Sequence, residues 1–172
     1  HELVDVLETA PGEYLLSLAW GGLGWLRGGV WSPDADLANQ LYFVLHEYIR
    51  NGVREVWAVE RDGGQAYLLS GGNWIPQEKC PPDVNDLVNL DSGEIMAATH
   101  AGLFLRDESG WHPWALDPAL GEPELNCGIT THDGAVWAGG REGLIRGTPP
   151  TWLKSADPAG PTVVLPRTQP ND

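Results

Sequence analysis

Six side chains carry most of the chemistry this sequence offers: Trp20, Arg61, Asp62, His100, Arg141 and Glu142. Trp20, Arg61, His100 and Arg141 each stand two residues before a glycine (Gly22, Gly63, Gly102 and Gly143), and Thr99, Asp62 and Glu142 lie beside them. Glycine tolerates the positive φ of a tight reversal, so each of the four belongs to a turn. The two arginines could grip a carboxylate or an acidic peptide through paired N–H donors. Set on neighbouring repeats, the four groups would line a mouth. The competing reading is a set of solvated turn residues that serve solubility, and spacing alone does not choose between the two.

Other chemistry is thinly represented. Asp91-Ser92-Gly93-Glu94 and His132-Asp133-Gly134 are oxygen-rich, but the spaced acids of a twelve-residue calcium loop are missing, and Asx-type turns explain both. The five histidines show no HExxH spacing and none pairs with cysteine at zinc spacing, so no metal is expected. Ser70 precedes two glycines but lacks the glycine before a hydrolase nucleophile. No glycine-rich phosphate loop leads from a strand into a helix. The expectation is therefore no cofactor and no enzyme.

The elements that must position the six residues repeat along the chain. Tyr14 to Trp31, Glu55 to Trp74, Glu94 to Trp111 and Ala135 to Trp152 follow one plan: an apolar run, a Gly-marked reversal, a second apolar run, a turn, a tryptophan. Leu16, Trp57, Met96 and Trp137 form one column, with steps of 41, 39 and 41. The glycines named above repeat those steps. Trp31, Trp74, Trp111 and Trp152 close the units, with steps of 43, 37 and 41. Strand-built repeats of that length mean stacked sheets or propeller blades. The expected fold is all-β, four four-stranded antiparallel repeats at about 1–35, 36–78, 84–117 and 125–157. A Pro-rich tail over 158–172 has a candidate extra strand at 162–165. The second unit is the least regular. Its segment 36–52 has apolar residues at helical spacing, yet Leu41 to Leu45 is β-rich, and strand is favoured. The recurring tryptophans invite stacking on sugar rings, but a residue repeated among apolar neighbours is more simply core between repeats.

The unit "Asp-Gly turn, V-W-A-G-G, x-x-G-L, turn, W" is plainest in HDGAVWAGGREGLIRG (132–147) and DSGEIMAATHAGLFLRDESGW (91–111). It resembles the ligand-binding β-propeller repeats of two-component regulators, over about 150 of the 172 residues. The resemblance implies extracellular or periplasmic sensor modules with more blades than four. It therefore implies a piece of a larger ring or a small four-bladed one, with ligands met by loops between the second and third strands.

Composition narrows the partners. Twenty-four acidic against 10 basic residues leave a net charge of -14, a field that repels nucleic-acid phosphates and anionic membrane surfaces. No apolar run approaches the roughly 18 residues of a membrane span. Two cysteines in different repeats, Cys80 and Cys127, do not make a disulfide framework. The chain opens at His1, as a processed or truncated piece would, which leaves the compartment open. The reading is a recognition or sensing module, non-catalytic, that binds a protein or small ligand through its loops within a larger protein or assembly. The alternative is a carbohydrate-binding propeller with a saccharide ligand.

Overall fold

The computed structural model describes residues 2–38, 43–50, 53–91, 93–107, 109–116, 123–141, 143–148 and 163–166. Every described strand belongs to one of four antiparallel sheets. The first holds β1 (Leu3–Ala10), β2 (Glu13–Leu18), β3 (Gly22–Arg27) and β4 (Val30–Pro33). The second holds β5 (Phe43–Arg50), β6 (Val53–Glu60), β7 (Ala66–Ser70) and β8 (Asn73–Pro76). The third holds β9 (Val84–Asn89), β10 (Ile95–Thr99), β11 (Gly102–Asp107) and β12 (Gly110–Pro113). The fourth holds β13 (Leu125–Thr130), β14 (Val136–Gly140), β15 (Gly143–Gly147) and β16 (Val163–Pro166). Within each sheet, spatial order is chain order.

Two sequence expectations resolve here. The segment with both helical and strand spacing is a strand over Phe43–Arg50. Its β-branched and aromatic residues suit a pleated surface, and it pairs residue for residue with β6 from Phe43↔Glu60 to Arg50↔Val53. Trp152, which closes the fourth repeat in sequence, falls outside the described residues. The strand that pairs with β15 is Val163–Pro166, a shift of one residue from the run read as an extra strand.

The chain divides into two units, His1–Val84 and Asn85–Asp172, each holding two sheets. In each unit one sheet turns a trailing face to its successor, which meets it with a leading face. In the first unit Leu15 and Leu23 of the trailing face are fully buried against Phe43, Leu45, Val56, Ala58 and Trp74. In the second, Met96, Leu103 and Leu105 are buried against Leu125, Val136, Ala138 and Ile145. Each such side chain removed from water contributes roughly 1.5–3 kcal/mol, so these two cores are the main reason the sheets stay paired.

Polar side chains finish the joints. The first strand of each sheet is an edge, and its outward N–H groups need acceptors. Leu45 N–H donates to Asp5 Oδ2 at 2.9 Å and Phe43 N–H to Ser17 Oγ at 3.2 Å. In the second unit Gly128 N–H donates to Asp86 Oδ2 at 2.9 Å, and Asn85 Nδ2 donates to the Leu125 carbonyl at 2.8 Å. The Arg54 guanidinium donates to the carbonyls of Glu8 and Thr9 and to Glu47. Burial pushes the Asp5 carboxyl above its ordinary range, against the bonds from Leu45 and Val6 and the nearby His46. A raised folded pKa means that Asp5 contributes stability at low pH and loses it as pH rises through that value. Asp5→Asn keeps an acceptor for Leu45 N–H without the buried charge. We expect it to leave the urea midpoint at pH 7 unchanged or raise it by the equivalent of about 0.5–1 kcal/mol.

Register corrects one column of the sequence reading. In the first sheet three residues, 19–21, separate β2 from β3, against two in the third, 100–101. The residue equivalent to Met96 is therefore Leu15, not Leu16, and one residue of slip moves a side chain to the other face. Leu15 is buried on the trailing face as Met96 is. Leu16 lies on the leading face with its opposite neighbours Val6 and Gly24. The closing tryptophans do share one position: Trp31, Trp74 and Trp111 lie opposite Leu26, Leu69 and Arg106.

Candidate functional site

The turns between second and third strands carry the candidate residues. Trp20 is 65% exposed and has φ 59°, a left-handed conformation that costs a non-glycine residue of order 1–2 kcal/mol. Gly22 follows at φ 67° and opens β3. In the second sheet the turn is longer, 61–65, and its left-handed glycine is Gly64 at φ 70°, not Gly63. Gly64 accepts from Cys80 N–H at 2.7 Å, and a side chain there would strike the Cys80 carbonyl. This seats the turn on the segment leading to the next sheet. The Arg61 carbonyl accepts from Val84 N–H at 3.1 Å; the Arg61 side chain is half-exposed and Asp62 is exposed.

In the second unit His100 and Arg141 are exposed at the corresponding turns. Thr99 is fully buried. Its hydroxyl donates to the Gly102 carbonyl and accepts from Ala101 N–H, both at 3.0 Å. Thr99 therefore holds the turn that presents His100 and does not itself face a ligand. Glu142 lies outside the described residues. The structure thus sets five of the six side chains at the same turn of their sheets. Their grouping as one mouth runs across both units and belongs to the proposal below.

The tryptophan columns sort differently. Trp57 is buried, and its indole N–H donates to Glu55 Oε2 at 3.0 Å. Trp137 is half-buried with the Arg146 guanidinium 5.8 Å from its ring centre, within cation–π range. Trp152 lies outside the described residues. Trp114, which the sequence reading passed over, is buried in the core of the second unit.

Two polar clusters were not foreseen. Asp34, on the connection between the first two sheets, is 7% exposed. Its Oδ2 accepts from the indole N–H groups of Trp25 at 2.9 Å and Trp74 at 3.0 Å. Its Oδ1 accepts from Asp36 and Leu37 N–H at 2.9 Å each. The Ser-Pro-Asp step after Trp31 signals an Asx turn, but nothing local announces Trp74. The second cluster is Asp107, Ser109 and His112 in the β11–β12 turn, a serine, histidine and acid together. Ser109 Oγ lies 2.8 Å from His112 Nε2, and Asp107 Oδ1 lies 3.2 Å from that same nitrogen. A nucleophile relay needs the acid on the other ring nitrogen, so this is a turn clamp. The Ser109 bonds in particular hold the Asp107 carboxyl below its ordinary range. Among the described residues no three His, Cys, Asp or Glu side chains gather where they could hold a metal ion. Cys80 is buried and Cys127 is exposed.

Comparison of the whole chain decides what these sheets are. Virginiamycin B lyase from Staphylococcus aureus matches with a TM-score of 0.68 at 15% identity, over 98% of this chain and 57% of that one. The four sheets are β-propeller blades. The extracellular domain assigned to a hybrid two-component system of B. thetaiotaomicron matches with a TM-score of 0.64 at 13% identity, over 86% of this chain and 21% of that one. The resemblance to two-component-regulator propellers therefore holds at the level of fold. A luciferin-regenerating enzyme matches with a TM-score of 0.57 at 13% identity, over 95% of this chain and 62% of that one. No family model and no curated protein matches the sequence. This chain spans little more than half the length of the lyase.

These neighbours correct the expectation that the chain is no enzyme. A lyase and a luciferin-regenerating enzyme share its fold, so an enzymatic role is compatible with these blades. The absence of a contiguous motif carried no weight against it. A propeller can draw one reacting group from each of several loops, and groups drawn that way leave no local signature.

Proposed function

We propose that this chain is a recognition module of a larger propeller assembly, and that its second-to-third-strand turns bind a carboxylate-bearing ligand, either a protein segment or a small molecule. Trp20, Arg61, Asp62, His100, Arg141 and Glu142 are the residues assigned to that role. The observation that carries the reading is Trp20. A large aromatic side chain that is 65% exposed forgoes most of the stabilisation of burial, and its left-handed backbone adds strain. Such costs concentrate where a ligand is met. The exposed Arg141 and half-exposed Arg61 supply donors that suit a carboxylate. The extracellular two-component-system domains of the same fold support a sensing role.

The test is titration of tryptophan emission with a capped peptide that carries a single glutamate, since a polyanion would be repelled by the net charge of -14, and in parallel with simple saccharides. We expect the peptide to change emission and Trp20→Gly to abolish the change. Arg61→Ala combined with Arg141→Ala should weaken binding roughly 10- to 100-fold, as loss of charge-assisted hydrogen bonds implies. Unchanged affinity in that double variant removes the carboxylate reading. A response to saccharides alone, lost in Trp20→Gly, favours the second reading, in which the exposed indole stacks on a sugar ring. Trp20→Gly relieves left-handed strain of about 1–2 kcal/mol against roughly 0.5–1 kcal/mol of added unfolded-chain entropy, so a net stability gain of about 0.5–1 kcal/mol is expected, seen as a Tm increase of a few degrees. A stability gain joined to a binding loss separates a functional residue from a structural one.

A further inference from the structure

Two sheet faces are apolar where their register equivalents are buried. On the leading face of the first blade, Val6 is 50% and Trp31 is 41% exposed; in the second blade the equivalent Leu45 and Trp74 are 8% and 9% exposed. On the trailing face of the fourth blade, Leu144 is 46% exposed, where the equivalent Leu23 and Leu103 are 0% and 3%. Ile129, opposite Trp137 on that same face, is 60% exposed.

We propose that these two faces bind each other between two copies of this chain: the leading face of the first blade against the trailing face of a second copy's fourth blade. This rests on the reading of the chain as part of a larger assembly and names the partner. Three observations favour a second copy. The exposed pair is one leading and one trailing face, the same pairing that forms both cores within the chain, so a copy offers each face its matching surface.

The leading face of the first blade also keeps the volume of a packed face. It reads Leu16 opposite Gly24 where the other blades read Ala58 opposite Tyr67, Ala97 opposite Phe104 and Ala138 opposite Ile145. Large and small have changed places, and the Trp31 ring lies over Gly24 so closely that no side chain fits there. Finally, the charges are complementary. The register puts the acid Glu8 on the leading face, opposite Tyr14, and the base Arg146 on the trailing face, opposite Trp137. Oppositely charged groups at the rim steer and register an association.

Sedimentation of the chain tests this. The wild type is expected to run at a multiple of the 18.7 kDa monomer mass. Val6→Glu and Leu144→Arg each place a charge on one face. At half-exposed positions both should fold, with unchanged circular dichroism, and weaken association by roughly tenfold or more. Mixing them should restore it, because one copy then supplies an intact leading face and the other an intact trailing face. An isologous contact, built from one face twice, gives no such rescue. A wild type that stays at 18.7 kDa at tens of micromolar, single variants of wild-type mass, or a mixture that stays apart overturns the proposal. The first of these outcomes assigns the faces to a different blade-bearing partner. The single-glutamate peptide titration repeated on Val6→Glu keeps the two readings distinct, since the turns that bear Trp20 and Arg61 are intact there.

Discussion

Asp34→Ala is expected to destabilise the protein by about 3–5 kcal/mol, the range for removing one partner from a buried, charged hydrogen-bond set. The carboxylate ties three elements. Trp25 belongs to the third strand of the first blade, Trp74 to the fourth strand of the second, and Asp36 and Leu37 to the connection between them. Alanine leaves four donors without their acceptor, at about 1–3 kcal/mol for each that stays buried and unpaired. Asp34→Asn is the finer probe. Its single carbonyl oxygen can serve one pair of donors, but its NH2 group then faces the other. The expected order of urea midpoints is wild type, Asn, Ala. A midpoint for Ala within 0.5 kcal/mol of wild type would mean that the tryptophans, not the carboxylate, hold this joint.

The same carboxylate sets part of the acid limb. Burial alone would raise its pKa, but the four hydrogen bonds outweigh burial, led by that from Trp74, and the carboxyl titrates below its ordinary range. A depressed folded pKa means that the stabilisation is complete above the unfolded value, near 4, and is lost as pH falls through the folded value. The gap in stability between wild type and Asp34→Asn should therefore be widest at neutral pH and close on acidification. Asp5, whose carboxyl is pushed the other way, gives the opposite sign.

What the sequence disclosed and what it hid follow from range. Period-two alternation and glycine turns are local, so the runs opening at Tyr14, Glu55, Glu94 and Ala135 each fall on the second strand of a sheet, within a residue of its bounds or inside them, and the candidate residues fall at the turns that follow. The strand column failed by one residue in the first blade because turn length, not composition, sets register: three residues at 19–21 against two at 100–101. Gly63 failed for a related reason, since a five-residue turn moved the left-handed position to Gly64. Asp34 was invisible because its decisive partner, Trp74, lies 40 residues on, and no local pattern encodes that pairing. The open faces were invisible too. Val6 and Leu144 look like core residues in any blade, and only comparison with their buried equivalents marks them. As for the site, the sequence could name the turn residues but could not separate Thr99, which builds the turn, from His100, which the turn displays.

Gly140→Ala against Gly139→Ala is the sharpest expectation from the repeat motif itself. The pair closes V-W-A-G-G, where sequence alone gives the two glycines equal weight. A Cβ on Gly140 would lie 1.9 Å from the Glu124 carbonyl oxygen and 3.0 Å from its carbon. Those are backbone atoms of the segment that feeds β13, and Leu125 is paired with Gly140 itself. Relief requires the strand and the incoming chain to separate, which strips the pairing at Leu125, a residue 1% exposed in the core of the second unit. Overpacking of this kind costs about 1–3 kcal/mol in a side-chain core. Where only backbone can yield, the upper end or beyond is expected, roughly 3 kcal/mol or more. Gly139 meets only Leu144 Cδ2 at 3.1 Å and Cys127 Sγ at 3.2 Å. Both are side-chain atoms, and Leu144 and Cys127 are exposed residues that can move aside, so Gly139→Ala should cost under about 1 kcal/mol. Thermal and urea unfolding of the two variants decides it. Equal losses would show that the segment feeding β13 does not press on Gly140. A large loss confined to Gly140→Ala would show that the second glycine exists to let one blade's last connection pass against the next strand.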